Sequence, residues 1–318
     1  MKIQKVLVTG ATGFVGANLV RRLYKEGYEV HVFTRVSSNK WRLTDVLSKL
    51  NDHTVDLLEE KKLKELIKEI KPEIIFHLAA AGIYGGVHLP EKNLIETNFL
   101  GTVNLLDACN DIDYKCFINT GSSSEYGPKK HPMKETDVCE PIDMYGITKC
   151  AAILYGHFVA ETKDKPIIGF RLFSPYGPYN DMTRLITYAI INALQNNELN
   201  LASPEAVRDY IYIEDILDLY MKIIEKTYEL KGEVFNVGSG SQTTIQYVVT
   251  KIMKLTQSKS SVNWGSVNGR IWDTEKWEAD IKKTSKFFNW KPTYDIDKGL
   301  KKTISWFRNN LNLYNKKY

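Results

Sequence analysis

The chain has 318 residues, a mass of 36.5 kDa and a formal net charge of +5, with basic and acidic residues interspersed. That length buries a large core in one large or two intimate domains, and so mild a charge argues against a nucleic-acid partner. No unbroken apolar run approaches the roughly 18 residues of a membrane span, and the N-terminus runs straight into a strand pattern without a signal-peptide design. Cys109, Cys116, Cys139 and Cys150 show no paired spacing, which predicts reduced thiols in a cytoplasmic protein. The histidines are scattered without metal-ligand spacing, so no metal is expected, and His77 reads as a hydrogen-bonded packing residue at the end of an apolar strand.

Residues 5–9 form a short, almost continuous apolar run, as a strand buried on both faces of a parallel sheet does. Gly10, Gly13 and Gly16 follow, with Thr12, Phe14 and Val15 among them, and then a helical pattern through Ala17, Leu19, Val20 and Leu23. Strand, glycine turn and helix together make a pyrophosphate site, because the glycines allow close backbone approach and the helix N-terminus presents unpaired N–H groups. A second strand over 28–34 ends at Arg35. In a dinucleotide site that corner meets the adenine ribose, where an acid suits the 2′-hydroxyl of NAD and an arginine the 2′-phosphate of NADP. The acid is absent here, which favours NADP(H), with NAD(H) as the alternative.

A third strand is predicted over 53–57, placing Asp56 and Leu57 at the adenine edge, and a charged amphipathic helix over 61–70. A fourth strand over 73–80 ends in Leu78, Ala79 and Ala80, where a cofactor backbone can pass closely. A glycine-rich loop containing Tyr84 precedes a helix over 90–109, and a fifth strand over 115–120 empties into Gly121, Ser122, Ser123 and Ser124.

Tyr145 and Lys149 stand four residues apart, on one face if the segment is helical. An ammonium beside a phenol favours phenolate, and such a tyrosine can pass a proton to or from a carbonyl oxygen while hydride moves at the adjacent carbon. The same spacing recurs at Tyr126/Lys130, Tyr247/Lys251 and Tyr294/Lys298. Ligands of open α/β sheets sit beyond the carboxyl ends of the strands. Ser122 lies at such an end, and a helix starting near Asp143 would bring Tyr145 and Lys149 beside it. That placement selects the Tyr145 pair.

Together these segments resemble the extended short-chain dehydrogenase/reductase family, in its nucleotide-sugar epimerase and 4-ketoreductase branch. Thr9-Gly10-Ala-Thr-Gly13-Phe-Val-Gly16 is similar to the family's cofactor loop, His77-Leu-Ala-Ala80 to its fourth-strand end, and Gly121-Ser122-Ser-Ser-Glu-Tyr126-Gly127 to its catalytic Ser/Thr segment. The resemblance makes Ser122 the catalytic hydroxyl, Tyr145 the proton donor and Lys149 the lysine that also holds the nicotinamide ribose. Phe170-Arg-Leu-Phe-Ser174-Pro-Tyr-Gly177 is similar to the loop leading to the sugar site, with Ser174 where many relatives have asparagine. Arg208 and Arg270 match two diphosphate-binding arginines, and Tyr84 and Ser123 complete the implied substrate contacts. Dehydratases of the family carry Asp-Glu directly after the catalytic Thr; Ser123 and Ser124 stand there instead, which disfavours dehydration.

The expected fold is α/β: a Rossmann-type doubly wound parallel sheet over 1–172, then a smaller mixed α/β substrate domain over 173–318, with part of 205–240 returning to the sheet. The expected activity is NADPH-dependent reduction of the 4-keto group of a nucleotide-diphosphate (6-deoxy)sugar. Its alternative is 4-epimerisation, and a catalytically silent dinucleotide-binding regulator is a third reading. Residues 151–160 are apolar on more than one helix face, and the resemblance implies that this helix pairs across a two-fold axis in a homodimer.

Overall fold

The computed structural model describes residues 4–82, 89–226, 230–267, 269 and 274–315, and the expected substrate contacts of Tyr84 and Arg270 lie outside the described residues. The chain begins with β1 (Lys5–Thr9), β2 (Glu29–Thr34), β3 (Asn51–Thr54), β4 (Ile74–His77), β5 (Cys116–Ser122) and β6 (Ile167–Leu172). Then come β7 (Ser174–Tyr176), β8 (Leu199–Leu201), β9 (Val207–Tyr212), β10 (Val234–Val237), β11 (Gln242–Thr244) and β12 (Val262–Trp264). A parallel seven-stranded sheet runs in the order β10-β6-β5-β4-β1-β2-β3. Two small sheets, β11-β9-β7 and β12-β8, stand apart from it.

The helices begin with α1 (Phe14–Lys25), α2 (Glu60–Ile70), α3 (Glu91–Leu94), α4 (Gly101–Cys109), α5 (Met144–Lys163), α6 (Leu185–Gln195) and α7 (Ile213–Lys226); α1 and α7 pack on one face of the large sheet, and α2, α4 and α5 on the other. The later ones are α8 (Ile245–Thr256), α9 (Lys282–Phe288), α10 (Ile296–Asn310) and α11 (Asn312–Asn315). Strand alternation decides which core each side chain enters. Val6 and Val8 share a core with Ala17, Leu19 and Leu23 of α1 and with Ile216 and Ile223 of α7. Leu7, between them, packs with Leu63 and Ile67 of α2, Leu105 of α4 and Val159 of α5. Each such aliphatic side chain stabilises the fold by about 1.5–3 kcal/mol on burial. No helix among the described residues is long and apolar enough to cross a membrane.

Some boundaries differ from the sequence expectation. β3 starts two residues early and ends at Thr54, because it is the sheet's edge: Asn51, Asp52 and Thr54 are exposed, and pairing with His31–Thr34 of β2 sets its place without an apolar signature. β4 stops at His77, and β5 runs on through Ser122. The helix over 90–109 is interrupted by a π-helical turn at Ile95–Leu100, which lies between α3 and α4. Inside it the buried Asn98 side chain accepts from Ala81 N–H at 2.7 Å and donates to Ala81 O at 2.9 Å and to Thr148 Oγ1 at 3.0 Å. π-turns concentrate at functional sites, and this one ties the loop after β4 to the helix that carries Lys149.

Candidate active site

The chain runs β1 to β3 towards one edge, then returns to place β4 beside β1. A cleft of about 980 Å³ opens over the carboxyl ends of the strands at this reversal. At its floor Gly10 has φ +71°, and a Cβ there would stand 2.5 Å from Ala79 N; a Cβ at Gly16 would collide with Gly10 O. Gly13 is the N-cap of α1 and has no side chain to satisfy the first-turn N–H groups. The cradle therefore fits a pyrophosphate: backbone donors face a space that side chains would fill. Thr12, Phe14, Val15, Leu78, Ala79 and Ala80 line the same cleft, and Arg35, Asp56 and Leu57 line the end expected to take the adenosine. Arg35 is exposed, and its N–H donates to Ser38 Oγ at 2.9 Å, fixing the corner after β2.

Ser122, at the tip of β5, closes a short 3₁₀ turn: its Oγ accepts from Ser124 N–H at 3.2 Å while Glu125 Oε1 accepts from Ser122 N–H at 2.7 Å. Asp143 caps α5 by accepting from Gly146 N–H at 2.6 Å, so Tyr145 sits in the first turn and Lys149 one turn later. Ser122, Tyr145 and Lys149 all line the cleft, Tyr145 half-buried and Lys149 buried. Burial pulls the Lys149 ammonium down to about 8, against the opposing charge of Glu125. The other Tyr/Lys pairs have separate occupations. Tyr247 and Lys251 both hold Asp297, the buried Tyr126 hydroxyl donates to Asn236 Oδ1 at 2.7 Å, and the Tyr294 ring packs on Tyr212. His77 bridges Thr9 Oγ1 at 2.7 Å and Thr102 Oγ1 at 2.8 Å; burial, and then the charge of Lys149, hold its ring neutral down to about pH 3.

Ser123, Ser174 and Arg208 line the far part of the cleft, joined there by Arg184, Tyr210 and Trp277. Ser123 Oγ accepts from the buried Trp277 Nε1 at 3.1 Å, and the Arg208 guanidinium lies 5.6 Å over the Trp277 ring. The Arg208 strand is anchored by Asp209, whose carboxylate accepts from Ser239, Gly240 and Ala279 N–H groups and which burial pushes up to about 6. Sequence reasoning missed Trp277 and Arg184, and also Arg42, which lies in the cleft wall donating to Tyr179 O at 2.6 Å. Trp277 left one usable signal: an aromatic with a polar handle, favoured where an apolar wall meets a polar site.

The structure also brings together cysteines that the spacing left apart. The thiols of Cys139 and Cys150 and the Glu125 carboxylate lie within 4.8 Å of one another, the grouping among the described residues with donors suited to a cation. Arg171 occupies that ground: its Nε pairs with Glu125 Oε2 at 2.7 Å and its Nη2 donates to Cys139 Sγ at 3.0 Å. A guanidinium bonded to two of the three groups repels a metal ion.

A glycine cradle at the reversal of a parallel sheet, with a tyrosine and a buried lysine at the strand tips beyond it, defines a Rossmann-type dinucleotide-dependent enzyme. The chain belongs to the NAD dependent epimerase/dehydratase family, whose model matches residues 6–238, within the extended short-chain dehydrogenase/reductases. It is 28% identical to the UDP-glucuronate 4-epimerase of Thermodesulfobacterium geofontis over 96% of this chain and 97% of that one. It is 26% identical to the CDP-abequose synthase of Salmonella muenchen, over 95% and 97% of the two chains. The fold matches the UDP-glucose 4-epimerase of Thermotoga maritima, solved with UDP-glucose, at a TM-score of 0.88 and 26% identity, covering 97% and 100% of the chains.

Proposed function

We propose that this protein reduces the 4-keto group of a nucleotide-diphosphate (6-deoxy)sugar, with NADPH preferred over NADH. The observation that carries the reading is the convergence of Ser122, Tyr145 and the buried Lys149 on one cleft whose other end is the glycine cradle. When bound, the reduced nicotinamide supplies hydride to C4. Tyr145 gives its phenolic proton to the carbonyl oxygen, and the Lys149 charge eases that loss. Ser122 donates a hydrogen bond to the same oxygen as negative charge builds on it. Arg208 takes the diphosphate by charge-assisted contacts, helped by Arg270, with Ser174 standing at the position of a further diphosphate contact, and Ser123 and Tyr84 hold the sugar.

The position after Ser122 argues against dehydration. Ser123 and Ser124 offer no acid–base pair, and both oxygens of the nearby Glu125 are taken by Ser122 N–H and Arg171. Arg35 in place of a ribose-binding acid supports NADPH, because it offers a forked cation to a 2′-phosphate. Residues 1–172 serve the cofactor and 173–318 the sugar nucleotide, with part of 205–240 returning to the large sheet. The exposed Leu154 and Phe158 on α5, 59% and 54% accessible, with Leu100 nearby in sequence to α4, supply an apolar face for a homodimer in the cytoplasm.

Mixing the protein with NADPH and a panel of 4-keto nucleotide sugars tests the reading. Loss of the reduced-nicotinamide absorbance is expected, and none with any sugar would overturn it. Transient oxidation at C4 with net 4-epimerisation is the second reading, favoured by the epimerases among the relatives. Sugar conversion by the purified protein without consumption of added NADPH would establish it.

A further inference from the structure

The carboxylate beneath the Ser122 tip has no place in the chemistry just described. Glu125 is 0% accessible and Arg171 only 4%, and neither lines the cleft. Glu125 spends one oxygen on Ser122 N–H and the other on Arg171 Nε, both at 2.7 Å. Room for it comes from Gly121, where any Cβ would overlap Glu125 Oε1. Arg171 is held in turn by Cys139 Sγ and by the Tyr126 ring, 4.5 Å from its guanidinium carbon, while its Nη1 is buried with no hydrogen-bond partner among the described residues. Tyr126 carries the network on to Asn236 of β10, whose Nδ2 donates to Met133 O at 2.8 Å.

A buried ion pair is a poor stability device, since well-packed apolar residues of similar volume serve as well or better. One that keeps an unsatisfied guanidinium nitrogen is poorer still. Its geometry instead fixes one atom group, the backbone of the catalytic serine. We propose that Glu125 and Arg171 are positioning residues: the pair locks the β5 tip so that the Ser122 hydroxyl meets the Tyr145–Lys149 end of the cleft, and it sets a fixed negative charge beneath that ammonium. The inference rests on the assignment of Ser122, Tyr145 and Lys149 as the catalytic set.

The charged and titratable groups around the carboxylate are Arg171 of β6, Tyr126, Cys139, and Cys150 and Lys149 of α5; Glu125 acts on Lys149, which in turn acts on the neutral His77 of β4, and Tyr145 stands one helical turn before Lys149. Burial pushes the Glu125 carboxyl above its usual range, opposed by the Arg171 charge and the Ser122 N–H bond, while the Glu125 charge holds Arg171 above its ordinary range against the downward pull of burial; the direct 2.7 Å contact of Nε with Oε2 favours the ion pair. Removing the Glu125 charge withdraws what opposes Lys149 deprotonation and leaves Arg171 uncompensated. Both changes act in one direction, towards a lysine that loses its proton at lower pH.

Glu125→Gln keeps the shape and an acceptor for Ser122 N–H while deleting the charge. Its expected kcat is lower by about tenfold to a hundredfold, as for other sub-ångström displacements of a reacting group, with KM changed by about twofold or less. The alkaline limb of its kcat–pH profile moves to lower pH. In the cofactor-free protein, the pH dependence of Lys149 acylation, followed by mass spectrometry, shifts the same way. The double variant Glu125→Val with Arg171→Met removes both charges and restores apolar packing. It is expected to melt no lower than wild type yet to stay slow, which separates positioning from stability and carries the test if Glu125→Gln folds poorly. Wild-type kcat and pH profile in Glu125→Gln, or full activity in the double variant, would overturn the proposal. Tyr145→Phe in the same assay distinguishes the two failures: if that variant is dead while the Glu125 variants are normal, the catalytic assignment stands and this inference falls.

Discussion

Lys149 is buried, charged at neutral pH and, on the function proposed above, part of the chemistry, so its removal should stabilise the protein while abolishing turnover. Burial lowers its ammonium from 10.5 to about 8. That gap corresponds to about 3 kcal/mol of native-state destabilisation borne while the side chain is charged. The sign follows from proton counts. Below about 8 both folded and unfolded chains carry the charge, and the whole penalty is present. Between about 8 and 10.5 the unfolded chain binds the extra proton, so wild-type stability rises with pH; above 10.5 both forms are neutral and the penalty is gone. Lys149→Met, similar in length and without charge, should therefore be more stable than wild type by about 3 kcal/mol at pH 7, and the advantage should vanish by about pH 10.5. Urea unfolding of the cofactor-free proteins at pH 7 and pH 10 reads both numbers, and a turnover assay reads the loss of activity. A variant no more stable at pH 7 would refute the burial argument. A gain unchanged at pH 10 would refute its electrostatic origin, leaving better packing as the cause.

Arg35→Ala should reduce the ratio of NADPH to NADH affinity by about tenfold to a hundredfold, the worth of one or two charge-assisted hydrogen bonds, with both affinities measured by fluorescence titration. Cys139 is half-buried, and its hydrogen bond with Cys150, with the Arg171 charge beside it, pulls its thiol down to about 7. A limiting dose of maleimide at pH 8 should therefore label Cys139 ahead of Cys109 and Cys116, which burial pushes up, as mapped by peptide mass spectrometry. Phe158→Glu on the exposed face of α5 should shift the particle to half its mass by light scattering without lowering the melting temperature of the monomer.

The half of the chain that makes the cradle was legible because its signals are local. β1 is an uninterrupted apolar run, the glycines answer a backbone need at one turn, and α1 repeats its apolar residues at helical spacing. The Tyr145 pair was singled out by its position after a strand end, and the structure gives the competing Tyr247 and Lys251 to Asp297. What stayed hidden depends on distance in sequence. Trp277 reaches Ser123 across 154 residues, and Arg171 reaches Glu125 across 46. Cys139 and Cys150 gave no spacing signal because one sits in the irregular segment before α5 and the other on the helix itself. β3 slipped because an edge strand needs no apolar face, so the alternation that marks other strands was missing from it.

The wider turn at Ile95–Leu100 holds one residue more than regular α-winding would, and each residue of a helix turns the side chains after it by about 100°. The bulge itself can thus aim Asn98 at the loop beyond β4 while α4, after it, still lays Leu105, Leu106 and Cys109 against the sheet. Deleting a single residue here would set those two tasks against each other: either the clamp or the core would be left facing the wrong way. The bulge works as a phase adjuster, letting one rod keep two incompatible alignments.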